Sequence, residues 1–158
     1  MMNELEKIAK LMKKHKLMLA IAESCTGGLI CHTVTNIAGS SAFFEMGIVS
    51  YSDTAKMNLL NVQRKTLQRY GAVSSQTAEE MAQGIRTKAG VDIGLSTTGI
   101  AGPGGGTAEK PVGLVYIALS HTKGTTAYKY IFTGNRWENK ERTCQKALEL
   151  LSNHLLVQ

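Results

Sequence analysis

Nothing in this chain of 158 residues approaches the roughly 18 consecutive apolar residues that a membrane-spanning helix needs. Its N-terminus, Met1–Lys16, alternates Lys and Glu with apolar positions where a secretory signal would carry an unbroken apolar segment. No membrane partner and a cytoplasmic location are therefore expected. Cysteine is scarce as well. Cys25, Cys31 and Cys144 are odd in number, lack CxxC spacing and have no histidine at ligand spacing, which excludes a disulfide scaffold and a structural zinc site. The thiols read as reduced, small apolar residues, and no metal is expected.

Other absences concern ligands. The formal net charge is +6, yet Lys and Arg form no run and no aromatics are interleaved with them. The densest group, Lys7, Lys10, Lys13, Lys14 and Lys16, reads first as a solvated helix face and second as a surface for a small anion. Nucleic acid, which would bind with strongly salt-dependent affinity, comes third, and no such partner is expected. The chain has no P-loop, because no Gly-Lys-Ser/Thr follows its glycine-rich stretch, and no GxGxxG register. His15, His32, His121 and His154 have no acid partner nearby in sequence, so a Ser-His-Asp triad is not evident.

What is present is ordinary in bulk: 43% hydrophobic and 19% charged residues, the composition of a globular domain. The length suits one domain, 1–158, with no linkers or repeats. Asn3 can cap a helix through Leu5, Ile8, Leu11 and Met12, after which Leu17–Ala22 reads as a buried strand. A second helix is expected over about Leu29–Ile37, a second strand over Met46–Tyr51, and a helix capped by Asp53 that carries Lys56. Gly71 closes the next helical stretch, and Ser74 or Ser75 caps a long helix ending at Gly90. Strands follow at Asp92–Thr98, Val112–Ser120 and Thr126–Phe132, the last two as an antiparallel hairpin, before a final helix from about Arg136 to Leu155. This order predicts an α/β fold: a three-layer α/β/α sandwich around a mostly parallel, mixed sheet of about five strands.

Open α/β sheets bind ligands in the crevice at the carboxyl ends of their strands. Three polar clusters fall there: Glu23–Gly28, Ser50–Lys56 and Thr97–Gly106. The third is the densest signal, with five glycines and a proline between Gly99 and Gly106; such a backbone can approach a ligand closely, because no Cβ stands in the way. The first ends in two glycines that open a helix, and it reads either as an anion site on free N–H groups or as an ordinary cap and turn. Lys56 lies among Ala55, Met57, Leu59 and Leu60, apolar enough to desolvate an amine and make it a base for a serine. The alternative is an exposed helix lysine.

Five segments together resemble the CinA carboxyl-terminal family: Glu23-Ser24-Cys25-Thr26-Gly27-Gly28, Ala38-Gly39-Ser40-Ser41-Ala42-Phe43-Phe44, Val49-Ser50-Tyr51-Ser52, Gly71-Ala72-Val73-Ser74 and Gly99-Ile100-Ala101-Gly102-Pro103. The resemblance runs in order from about Leu11 to Leu151. It implies an amidohydrolase that converts nicotinamide mononucleotide to nicotinic acid mononucleotide and ammonia, with no cofactor. A nucleotide is the partner it implies, and a homo-oligomer the expected state. Longer relatives carry a further amino-terminal domain related to molybdopterin-binding proteins; this chain starts too late to include it, and a dedicated amidohydrolase is expected.

Carried over by the resemblance, Ser41 is the nucleophile, Lys56 the general base and Tyr51 a hydroxyl that orients or relays the proton. Substrate contacts are expected from Ser24, Thr26, Gly27 and Thr98, from the loop glycines Gly102, Gly104 and Gly105, and from Arg136. The chain departs from its relatives at Gly134-Asn135-Arg136, where they have Gly-Asp-Arg, and at Lys140, where they place a second arginine. Arg136, Lys140 and Arg142 are thus the candidates for a substrate phosphate. A non-catalytic CinA-like module that binds nucleotides or regulates competence or damage responses is the alternative function.

Overall fold

The computed structural model describes residues 2–158, with side chains from Glu4 onward. The cap expected from the Asn3 side chain lies outside the described residues. Helix α1 spans Met2–His15 and leads into β1, Leu19–Glu23. Then come α2 (Leu29–Thr35), a 3-10 turn at Ser40–Ala42, β2 (Phe44–Val49), α3 (Asp53–Leu60), α4 (Arg64–Tyr70) and α5 (Ser75–Ala89). Strands β3 (Ile93–Gly99), β4 (Leu114–His121) and β5 (Gly124–Ile131) precede the last helix, α6 (Arg136–Leu156).

The five strands form one sheet in the order β2-β1-β3-β4-β5. β1 runs parallel to β2 and β3, and β4 is antiparallel to β3 and β5, so β4 alone opposes the common direction. This is the expected mostly parallel, mixed sheet. Alternation along β1 shows why both faces are covered. Leu19 and Ile21 point into a core with Ile8 and Met12 of α1, Ile30 of α2 and Leu148 of α6. Ala20 and Ala22 point to the opposite face, against Leu60, Met81 and Ile85 of α3 and α5. Period-2 strands between amphipathic helices leave no other solution than three layers.

The local chemistry of the helix ends matches the expectations, with one correction. Ser74 caps α5, accepting from Thr77 N, and Gly90 closes it at φ 64°. Helix α3 is capped by Ser52 rather than by Asp53, because the Ser52 side chain accepts from Ala55 N and Asp53 is already helical. Asn135 caps α6 in a reciprocal box with Glu138. That geometry works as well for Asn as for Asp, since either side-chain oxygen can accept the N3 amide.

Candidate active site

The register of the sheet sets the site. Glu23 pairs with Val49 on one side and with Thr97 on the other, so the residues that follow β1, β2 and β3 leave the sheet at one level. Hydrogen bonds continue past the strand ends, from Ser50 N to Glu23 O at 2.8 Å and from Ser24 N to Thr97 O at 3.0 Å. The three polar clusters meet there, around a cleft of about 270 Å³.

At its floor lies Lys56, one turn into α3 and only 1% exposed. The segment read as able to desolvate an amine does bury it. Its Nζ donates to Ser24 Oγ at 3.0 Å and to the Ser50 carbonyl at 2.8 Å. Burial holds the Lys56 pKa below the ordinary lysine value, against a smaller opposing pull from Asp53. Ser24 is 8% exposed and opens onto the cleft. Cys25 beside it is no competing nucleophile, since burial pushes its thiol up to about 12.

Ser41 is not part of this arrangement. It sits in the exposed 3-10 turn that precedes β2, whereas Lys56 follows β2. A strand of this length separates the two ends of the sheet by about 20 Å, so the expected pairing of Ser41 with Lys56 is not made within the chain. The serine that Lys56 reaches is Ser24, expected only as a substrate contact. Its signal was available: in a parallel sheet, residues that follow strands share the carboxyl-end crevice, and residues that precede them face the other end.

The remaining expected residues divide into those that face the cleft and those that build it. Tyr51, Thr98, Gly102, Gly104, Gly105 and Arg136 line it. Tyr51 is 62% exposed, and its hydroxyl accepts from Arg136 Nη2 at 2.9 Å, while Arg136 Nη1 donates to Gly102 O at 2.7 Å. Arg136 therefore spans the mouth from Tyr51 to the glycine loop. Thr98 Oγ1 donates to Ala72 O at 2.7 Å and so holds the opposite wall. Thr26 is fully buried and does not line the cleft; its hydroxyl pairs with that of Thr97 at 2.8 Å. Gly27 is exposed beside the cleft rather than in its wall, and a Cβ there would lie 3.5 Å from Lys140 Nζ. Arg142 is turned away, donating to Thr133 O.

The N-terminus of α2, one reading of which was an anion site, is occupied by the protein's own carboxylate. Glu23 is fully buried and accepts from Gly28 N at 3.0 Å, Ile30 N at 3.2 Å and Cys31 N at 2.8 Å. The carboxylate satisfies amides that a helix start leaves open and lies at the positive end of the helix dipole. No residue of the cleft lining is acidic, whereas Lys56 and Arg136 are basic and Arg136 carries a fixed positive charge. The cleft thus suits an anion near Arg136, with a nucleophile at its floor and apolar surface from Val73, Ile100 and Ala101 between.

The whole chain is similar to solved structures. A competence-damaged protein (CinA) superfamily protein of Klebsiella pneumoniae has a TM-score of 0.95 at 33% identity, with 99% of this chain and 98% of that one covered. The competence/damage inducible protein of Agrobacterium tumefaciens has a TM-score of 0.87 at 42% identity, over 94% and 93% of the two chains. In sequence, a CinA-like protein of Geotalea uraniireducens is 50% identical over 149 residues, which are 94% of this chain and 36% of that protein. The chain therefore spans little more than a third of the length of the curated relatives it matches. With residues 2–155 matched by the model of the CinA C-terminal domain, and with the sheet and cleft described above, the chain belongs to the CinA C-terminal domain family.

Proposed function

We propose that the cleft hydrolyses the carboxamide of nicotinamide mononucleotide with Ser24 as nucleophile and Lys56 as general base. The observation that carries this reading is the 3.0 Å contact between Ser24 Oγ and the buried Lys56 Nζ. A lysine is a base only when neutral, and burial favours the neutral form. In the neutral pair the hydrogen bond reverses: the Ser24 hydroxyl donates to the Nζ lone pair while an Nζ–H still donates to Ser50 O. The pyridine nucleotide itself comes from the family resemblance, which the cationic rim and apolar walls of the cleft suit.

The steps balance without a further group. Ser24 Oγ attacks the amide carbon as its proton passes to Lys56 Nζ, giving a tetrahedral intermediate. The Cys25 amide, which follows Ser24 in the turn and belongs to the cleft lining, has no acceptor among the described residues and donates to the developing oxyanion. Lys56 returns the proton to the leaving nitrogen, and ammonia departs from the acyl-enzyme. Water, deprotonated by the same amine, then cleaves the ester and restores Ser24. Tyr51 and Arg136 hold the anionic end of the substrate at the mouth.

Ser24→Ala should lower ammonia release from nicotinamide mononucleotide by about 10³-fold or more, while Ser41→Ala stays within about twofold of wild type on the same scale. An active Ser24→Ala protein would overturn the assignment. Arg136→Ala should raise KM for the mononucleotide by a larger factor than KM for the unphosphorylated riboside. A wild-type protein that binds the mononucleotide without releasing ammonia would instead support the non-catalytic alternative.

A further inference from the structure

Asn139 lies one turn along α6 from Arg136 and is 1% exposed. Its Nδ2 donates to two carbonyls, Ala101 O at 3.0 Å and Gly134 O at 2.9 Å. Ala101 belongs to the connection that leaves β3 and to the wall of the cleft, and Gly134 belongs to the connection that leaves β5. Those strands are not neighbours, because β4 lies between them. One side-chain amide thus ties two connections that the sheet itself does not join.

Arg136 holds the next carbonyl, Gly102 O, so α6 grips two consecutive peptide units at the base of the glycine loop. On the far side the loop is held by Lys110 Nζ, which donates to Tyr70 O at 2.6 Å. Between these anchors, residues 103–109 are exposed. Gly102 and Gly106 also lie close against Val112, while Gly104 has open space around it, so the height of Gly104 and Gly105 over the cleft is set from the base of the loop and not from its tip.

The other half of the Asn139 amide is unfavourable: Oδ1 is buried and has no partner among the described residues. An orphaned buried acceptor destabilises, and an apolar side chain of similar size would avoid it. Packing of α6 alone would be better served by leucine, which leaves the Nδ2 donor as the useful part of the residue. We propose that Asn139 is a positioning residue that acts through Ala101 to hold the glycine loop over Ser24 and Lys56. It sets the affinity of the site for its substrate rather than the rate of bond cleavage. This rests on the amidase reading of the cleft for its kinetic consequence, though not for its structural one.

The test compares wild type with Asn139→Leu in the full chain. KM for nicotinamide mononucleotide should rise about tenfold and kcat should stay within about twofold. Peptides covering Ile100 and Thr107, whose amides donate to Leu114 O and Lys110 O at the two ends of the loop, should exchange their amide hydrogens about tenfold faster. A residue that merely packs α6 would leave both KM and loop exchange at their wild-type values. Either value unchanged overturns the proposal. Should the leucine variant fail to fold, Asn139→Ala is read in the same way. If wild type releases no ammonia from the mononucleotide, the amidase reading fails on its own. Loop exchange then decides the positioning role, with faster exchange supporting it and unchanged exchange overturning it.

Discussion

Lys56 illustrates how much one side chain depends on where its neighbours end. Its apolar flanks in sequence leave a desolvated amine and an exposed helix lysine both open, and the structure buries it; which hydroxyl it meets depends on the sheet. Because burial disfavours the ammonium form, the folded state holds the Lys56 proton less tightly than the unfolded chain. Stability attributable to this group is therefore reduced at neutral pH and recovers as pH rises through the window between its lowered pKa and the ordinary value of 10.5. Activity should follow the same titration, with kcat/KM rising as Lys56 loses its proton. Lys56→Met, which removes the amine without burying a permanent charge, should be inactive across the profile. A pH–rate profile of wild type without that rising limb would count against Lys56 as the base. Glu23 carries a different lesson. Nothing in the Glu23–Gly28 segment marks the carboxylate as the cap of α2, because the cap reaches three amides from the preceding strand rather than from the helix's own first turn.

At the scale of elements, the site depends on how closely helices approach. Gly84 of α5 faces the C-terminal end of α3, where a Cβ would collide with the Leu60 carbonyl oxygen. Its absence lets α5 lie close against the end of α3, the helix that carries Lys56. Gly84→Ala forces the two helices apart or strains them, at about 1–3 kcal/mol for an overpacked contact. For a chain of this size that corresponds to a fall in Tm of roughly 2–4 °C per kcal/mol, measurable by thermal unfolding. An unchanged Tm would show that α3 can shift freely. The elements themselves were largely legible. Caps, closing glycines and hydrophobic periods locate α5, the β4–β5 hairpin and α6, since these signals are local. The boundaries moved by a residue or two where a side-chain hydrogen bond decided them, as with Ser52 at α3.

For the molecule as a whole, a histidine pair links the β4–β5 hairpin to the far end of α6. The His121 and His154 rings lie 4.4 Å apart between centroids. Burial lowers the pKa of both; the nearby charges of Arg86 and Lys123 add to this for His121, and those of His121 and Lys123 for His154. Both groups therefore bind protons less readily folded than unfolded. The associated stability is present above their unfolded pKa of about 6.5 and is lost as pH falls through the lowered values. Thermal unfolding followed from about pH 7 down to pH 5 should show a drop in Tm that His154→Gln makes shallower; equal slopes would remove the pair from the acid response. The sequence alone determined the layered α/β architecture and the clustering of polar segments at strand ends, because hydrophobic period and caps are properties of neighbouring residues. Only the tertiary structure decided that Ser24 rather than Ser41 meets Lys56, that Glu23 fills the α2 anion site, and that Arg136 and Asn139 anchor the glycine loop. Those contacts join residues 32, 34, 38 and 85 positions apart, or depend on which end of a strand a residue leaves, and strand direction and register exist only once the sheet has formed.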